Sequence, residues 1–317
     1  MRMPYNRPLE VAAMTLHLPR GIVICEVGPR DGLQNELVQL SVADKVALID
    51  MAVAAGARRI EIGSFVSVKA VPSMADTDEV ALLLPRREGV EYRVLVANLA
   101  GLKRSEAAGI DKVKLTVSAS ETHALKNLGR TPAKVMQDFA ECVAFARAHN
   151  MAVAGAISTA FGCPYEGQVH LDKVRILIES FLALDVTELS LSDTTGVANP
   201  RQVYEYCTTL SAEYPAVQWT LHFHDTRGLG LANVLAGMLA GVVHYDAAFA
   251  GLGGCPFAPG ATGNIATEDL VHMAEAMQVN TGFDLTKLLV LGRRVQELVG
   301  RITDSALLKV ERRGETQ

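Results

Sequence analysis

Three stretches of the chain carry residue types that can do chemistry together. The first, Cys25-Glu26-Val27-Gly28-Pro29-Arg30-Asp31-Gly32-Leu33-Gln34-Asn35-Glu36, takes an apolar run abruptly into charged and amide groups. Arg30 and Asp31 set a permanent cation beside a carboxylate, next to glycines that let the backbone turn sharply. Taken alone, this is equally a surface turn with a local ion pair. The second stretch, Thr220-Leu221-His222-Phe223-His224-Asp225, spaces two histidines so that on a strand both imidazoles point to one face. A bound divalent metal satisfies such a pair; so do hydrogen bonds inside a core, with Asp225 holding a ring. The third, residues 250–264, is a loop with five glycines that carries Cys255 and ends in Asn264. It is far longer than an ordinary strand-to-helix link and reads as a lid or binding loop. On their own, Cys255 is equally an incidental small apolar residue and Asn264 a turn residue or helix cap.

These residues need elements to hold them. Short β-branched runs at 22–27, 59–63, 92–97, 113–117, 152–158, 188–192, 219–223 and 245–250 alternate with segments of helical period, giving eight strand candidates. A helix is predicted over 41–55, with Ser41 and Asp44 in a capping-box arrangement and Gly56 as the stop. Others begin at Asn199, with Pro200 in the first helical position, and after Thr267, where Glu268 and Asp269 suit the positive end of a helix dipole. Such alternation leaves a doubly wound sheet or a closed barrel of the α/β class, and eight βα units favour closure into the TIM (β/α)8 barrel, in which chemistry sits at the strand C-termini. An extra C-terminal helical region from about residue 283 caps the barrel or meets a partner. Residues 1–20 form a short extension, and 21–317 are expected to be a single domain.

Composition bounds the function classes. Hydrophobic residues make up 49% of the 317, and no apolar run approaches the roughly 20 residues of a bilayer span, so a large buried core and no membrane role are expected. A formal net charge of -5 without dense Lys/Arg clusters speaks against nucleic acid as a partner. Cys25, Cys142, Cys163, Cys207 and Cys255 are scattered, odd in number and without metal-type spacing, and no secretory signal is visible; a reducing, cytoplasmic setting fits.

In a closed barrel strand one adjoins strand eight, which adjoins strand seven. Asp31, His222, His224 and Asn264 then fall on one rim. Two imidazole nitrogens, a carboxylate and an amide oxygen suit Mg²⁺, Mn²⁺ or a similar ion with positions open to substrate, whereas structural zinc favours thiolates.

With these residues in place, the chain resembles the 3-hydroxy-3-methylglutaryl-CoA lyase family of the DRE-TIM metallolyase superfamily, through residues 26–36, 60–72, 162–167, 190–196, 222–225 and 251–270. The resemblance makes Asp31, Arg30 and Glu61 the family's name-giving residues, Asp31, His222, His224 and Asn264 its metal ligands, and Cys255 its loop cysteine. It implies retro-Claisen cleavage of a 3-hydroxyacyl-CoA to acetyl-CoA and a keto acid, acetoacetate for the namesake substrate, as in leucine degradation, by a homodimer. Arg30 suits the enolate oxygen, the alternative being a simple pair with Asp31. Asp31, Asp193 or a transiently released His222 is the base, and Asp193 reads equally as a turn carboxylate. Cys255 is the candidate proton donor to carbon once the loop closes. Glu61, with Glu26 and Glu268, is read as support behind the reacting groups, and Gln34 as a substrate contact. Two departures from the family's animal members, Arg227 for a tyrosine and Leu37 for a lysine, leave the acyl group open to citramalyl-CoA or a longer branched glutaryl-CoA. A condensing relative, a non-haem iron oxygenase and a non-catalytic acyl-CoA sensor are the rival readings. The long C-terminal region expected of the first, the barrel placement with Arg30 and the Cys255 loop for the second, and the full set of candidate ligands for the last speak against them.

Overall fold

The computed structural model describes residues 16–254 and 263–314. Eight strands, β1 (Val23–Glu26), β2 (Arg59–Phe65), β3 (Glu91–Val96), β4 (Lys112–Ser118), β5 (Ala152–Ser158), β6 (Glu188–Asp193), β7 (Gln218–Phe223) and β8 (His244–Ala247), close in chain order into a barrel. Every neighbouring pair is parallel, including β8 with β1, where Cys25 lies opposite Asp246. Helices α1 (Val42–Ala54), α2 (Thr77–Leu83), α3 (Leu99–Ala107), α4 (Glu121–Leu128), α5 (Pro132–Ala148), α6 (Leu171–Leu182), α7 (Pro200–Glu213), α8 (Gly230–Leu239) and α9 (Thr267–Ala276) make the outer ring. Two more, α10 (Leu285–Val299) and α11 (Ala306–Gly314), follow as the extra C-terminal region.

The predicted helix signals act as read. Ser41 accepts the Asp44 amide at the head of α1, and Asn199 accepts that of Gln202 ahead of Pro200 in α7. The eighth strand stops at Ala247 rather than running to residue 250, because Phe249–Gly251 folds into a 3-10 turn with Ala250 at φ 59°. The C-terminal region is two helices, since Gly300 takes the left-handed conformation and ends α10.

The strands sort their side chains by the two-residue period. In β4, Val113, Leu115 and Val117 are buried beneath the helices, whereas Lys114 points into the barrel, where it reaches Asp246 on the far side. At the N-terminal mouth, Arg93 pairs with Glu91 and with Glu188 at 2.8 Å, and Lys112 bridges Glu91 and Glu188 at 2.8 and 2.6 Å. That plug of paired charges closes one end. The other end, where the strand C-termini lie, is open and holds the groups singled out above.

Candidate active site

The backbone after β1 throws two charges inward. Val27 O accepts the amides of Arg30, Asp31 and Gly32 at 3.1, 2.7 and 3.2 Å, a tight π-type turn that faces both side chains to the barrel axis. A Cβ on Gly28 would stand 2.7 Å from Glu26 Oε1 and 2.8 Å from the Phe249 ring, so only glycine fits this turn. On β7 and just beyond it, His222 and His224 share a face, their ring centroids 5.1 Å apart. Asn264 comes back from the glycine loop and bridges to His224.

These elements meet at one point. Asp31 Oδ2 lies 3.4 Å from His224 Nε2 and 3.8 Å from His222 Nε2, and it accepts Asn264 Nδ2 at 2.8 Å. One ligand atom from each of Asp31, His222 and His224 falls within 4.8 Å of the others. Asn264 Oδ1 is buried and, among the described residues, accepts no hydrogen bond. An orphaned amide oxygen beside a carboxylate and two imidazoles is the donor set of a hard divalent cation, so the residues fit such an ion. A Cβ on Gly253, at φ 118°, would sit 2.8 Å from Asn264 Nδ2, so the loop can carry its asparagine this close only through glycine.

Behind the cluster runs a ring of paired charges. Arg30 pairs with Asp31 through Nη1 and with Glu61 through Nε. Lys114 Nζ lies 2.7 Å from Glu61 Oε2 and donates to Asp246 Oδ2 at 3.0 Å. Asp246 Oδ2 in turn lies 3.3 Å from His222 Nδ1, which aims the opposite nitrogen of that ring at Asp31. Three carboxylates (Asp31, Glu61, Asp246) against two cations (Arg30, Lys114) leave one net negative charge with neutral imidazoles, a field that draws a cation. Burial alone would raise the Asp31 carboxyl, but the Arg30 guanidinium and the two imidazoles hold it well below the usual carboxylate range. Burial would likewise raise Asp246, and Lys114 and His222 keep it low. Both stay ionised.

An inner cavity of about 130 Å³ is walled by Arg30, Asp31, Lys114, His222, His224 and Asp246. A larger one of about 380 Å³ opens above it, past Gln34, Ser118, His123 and Thr194. Gln34 therefore lines the way in, as a substrate contact would.

Other expected site residues line neither cavity. Asp193 is buried, and its two oxygens accept Val197 N at 2.9 Å and Ala198 N at 3.0 Å, so it holds the turn after β6. Glu26 and Glu268 are fully buried and line neither cavity. Glu26 accepts Gly28 N, Phe249 N and Thr267 Oγ1 at 2.7, 2.9 and 2.8 Å, and Glu268 accepts Ala250 N at 3.1 Å. Together they clamp the left-handed Ala250 at the root of the glycine loop. Burial pushes their carboxyls up to about 7 and about 8. Arg227 donates to Thr195 O at 2.8 Å and Gly196 O at 2.9 Å, and Leu37 is fully exposed. Cys255 lies outside the described residues. Two residues escaped the sequence reading, Lys114 and Asp246. Their signal was a mid-strand charge flanked on both sides by residues that are buried, Val113 and Leu115 or Tyr245 and Ala247.

The model of the HMGL-like family matches residues 21–295. The chain belongs to the HMGL-like family. Its HMGL-like relatives include the hydroxymethylglutaryl-CoA lyase of Bacillus subtilis, 41% identical, with 92% of this chain and 98% of that protein covered. The (R)-citramalyl-CoA lyase of Chloroflexus aurantiacus is also 41% identical, over 88% of this chain and 94% of that one. Among solved HMGL-like structures, an HMG-CoA lyase from Acinetobacter baumannii in complex with coenzyme A and 3-methylmalate superposes with a TM-score of 0.88 at 43% identity, covering 92% of this chain and 95% of the other.

Proposed function

We propose that this chain cleaves 3-hydroxy-3-methylglutaryl-CoA to acetyl-CoA and acetoacetate. It is a carbon–carbon lyase of the HMGL-like family, and the observation that carries the substrate reading is the Asp31–His222–His224 cluster on one inner cavity with a buried arginine, with Asn264 hydrogen-bonded to Asp31. Asp31, His222, His224 and the Asn264 carbonyl oxygen hold a divalent ion, Mg²⁺ or Mn²⁺. Such an ion lowers the pKa of a hydroxyl it contacts and fixes the hydroxyl's orientation.

The chemistry asked of the chain's own groups is limited. The substrate's tertiary hydroxyl gives its proton to a base, the C2–C3 bond breaks, and C3–O becomes the ketone of acetoacetate. The bonding pair passes into the thioester as an enolate, which takes up a proton at C2 to give acetyl-CoA. Asp31, or His222 transiently released from the ion, is the base on the cavity wall; Asp246 beside His222 Nδ1 supports that ring when it carries a proton. Asp193, whose two oxygens each accept one backbone amide, holds the turn after β6 and is the third candidate base. Arg30, kept in place by Glu61, presents its remaining donors to the enolate oxygen. Cys255 delivers the proton to C2 as the glycine loop shuts water out.

The same reading makes the partner an acyl-CoA, the assembly a homodimer, the setting cytoplasmic and the physiological chemistry that of leucine breakdown. No helix among the described residues is long and apolar enough to cross a membrane. The 41% identity to the Chloroflexus enzyme supports (R)-citramalyl-CoA as the second substrate to test. Purified protein with Mg²⁺ is incubated with each thioester and acetyl-CoA release is followed. Release from the methylglutaryl ester is expected, and silence on both esters overturns the lyase reading.

A further inference from the structure

We propose that Lys114, on the wall of the inner cavity, determines specificity by holding the free carboxylate of the acyl group. The inference rests on the lyase reading above and extends it to a residue which that reading leaves unused. Thr116, Ser158 and Thr194 line both the inner cavity of about 130 Å³ and the outer one of about 380 Å³, whereas Lys114, Ala156 and Ser192 line the inner one alone. Lys114 is only 3% exposed. Its ammonium offers three donors; Asp246 Oδ2 at 3.0 Å and Glu61 Oε2 at 2.7 Å take at most two of them, and no other acceptor meets it among the described residues. Burial alone would lower the ammonium, but Asp246 and Glu61 hold it above its ordinary value, so it is a charged donor and no nucleophile. Thr116 follows on the same face of β4, Ser192 adds a hydroxyl from β6, and the small Ala156, opposite Thr116 on β5, leaves the space between them open.

Connectivity decides which part of the substrate reaches Lys114. One end of the acyl group is tied through sulfur to the coenzyme and leaves by the wider space. The other end is free, and the paired charges at the N-terminal mouth close the barrel beyond it. A desolvated ammonium flanked by hydroxyls recognises a carboxylate there, because charge-assisted hydrogen bonds replace those the carboxylate made to water. A divalent ion on Asp31, His222 and His224 adds two positive charges to the ring's single excess negative one, and the entering carboxylate neutralises the remainder. The competing role for Lys114 is that of counter-ion to Glu61 and Asp246 and nothing more. In that case its removal harms charged and neutral acyl groups alike.

The test compares kcat/KM for 3-hydroxy-3-methylglutaryl-CoA and for its C5 carboxamide analogue, which keeps the shape and loses the charge, in the wild-type enzyme and in Lys114→Met at saturating Mn²⁺. The wild type is expected to prefer the acid by at least about 100-fold, and Lys114→Met to cut that preference at least about tenfold. The ratio cancels whatever both thioesters lose through the charge ring or the ion. Should that variant fail to fold, Lys114→Met joined with Asp246→Asn removes one charge of each sign and is read by the same ratio. Calorimetry follows the contact without turnover: glutarate is expected to bind the variant at least about tenfold more weakly than the wild type. An equal fall on both thioesters, or an unchanged glutarate affinity, leaves Lys114 a counter-ion and overturns the inference. A wild type indifferent to the carboxamide also overturns it and leaves the lyase reading standing, whereas cleavage of neither thioester removes both.

Discussion

Arg30 is the residue whose replacement separates chemistry from scaffolding. Its guanidinium joins Asp31 to Glu61 and also lines the inner cavity. Arg30→Gln keeps a donor and most of the volume but loses the charge, so kcat is expected to fall by roughly 10²–10³ with divalent metal still bound. A variant that loses its metal instead would return Arg30 to the ion pair alone, and metal analysis beside the kinetics decides the matter. Asp246 acts one step further back, through His222. Asp246→Asn is expected to weaken Mn²⁺ binding by about 10- to 100-fold, read by calorimetry, because the ligand ring loses the carboxylate that orients it. Lys114→Met should be costlier to the fold than to metal binding. It leaves Glu61 and Asp246 as buried charges with one cation fewer, a loss of about 3–5 kcal/mol visible in urea melts.

At the scale of elements, the clamp at the root of the glycine loop links pH to stability. The Glu26 and Glu268 carboxyls, pushed up to about 7 and about 8 by burial, keep their protons in the folded chain over a range where the unfolded chain has released them. Stability from this source is therefore complete below the ordinary carboxylate value, declines as pH rises, and levels off above about 8. The slope is at most about 1.4 kcal/mol per pH unit for each group. Glu268→Gln places a permanently neutral amide at the same site, and melting curves from pH 5 to 8 are expected to be flatter than those of the wild type. An unchanged slope would mean that Glu268 is ionised in the folded protein. Because the same carboxyl accepts from Ala250, the variant should also slow turnover through the loop it anchors.

At the scale of the whole molecule, an excess of one negative charge in the barrel mouth makes the cation part of the fold's stability. Saturating Mn²⁺ is expected to raise the melting temperature by roughly 5 °C and a chelator to reverse the gain, as mass action on the folded state requires. A melting temperature indifferent to both would separate the cluster from metal binding. The alternation of strand and helix, the capping signals at Ser41 and Asn199 and the closing of eight units into a barrel were legible in the chain because each depends on short-range periodicity. Asp31, the histidine pair and Asn264 were legible too, since an extended strand aims His222 and His224 alike and closure brings strands one, seven and eight together. The roles of Glu26, Glu268 and Asp193 were not legible. Whether a carboxylate faces a cavity or a backbone amide depends on which loop folds over it, as Phe249–Gly251 does over Glu26. Lys114 and Asp246 likewise stood in the sequence as isolated charges. They became a ring with Glu61 and Arg30 only when the barrel closed, because Lys114 on β4 finds Glu61 on β2 and Asp246 on β8, and no local spacing encodes a contact across a barrel's interior.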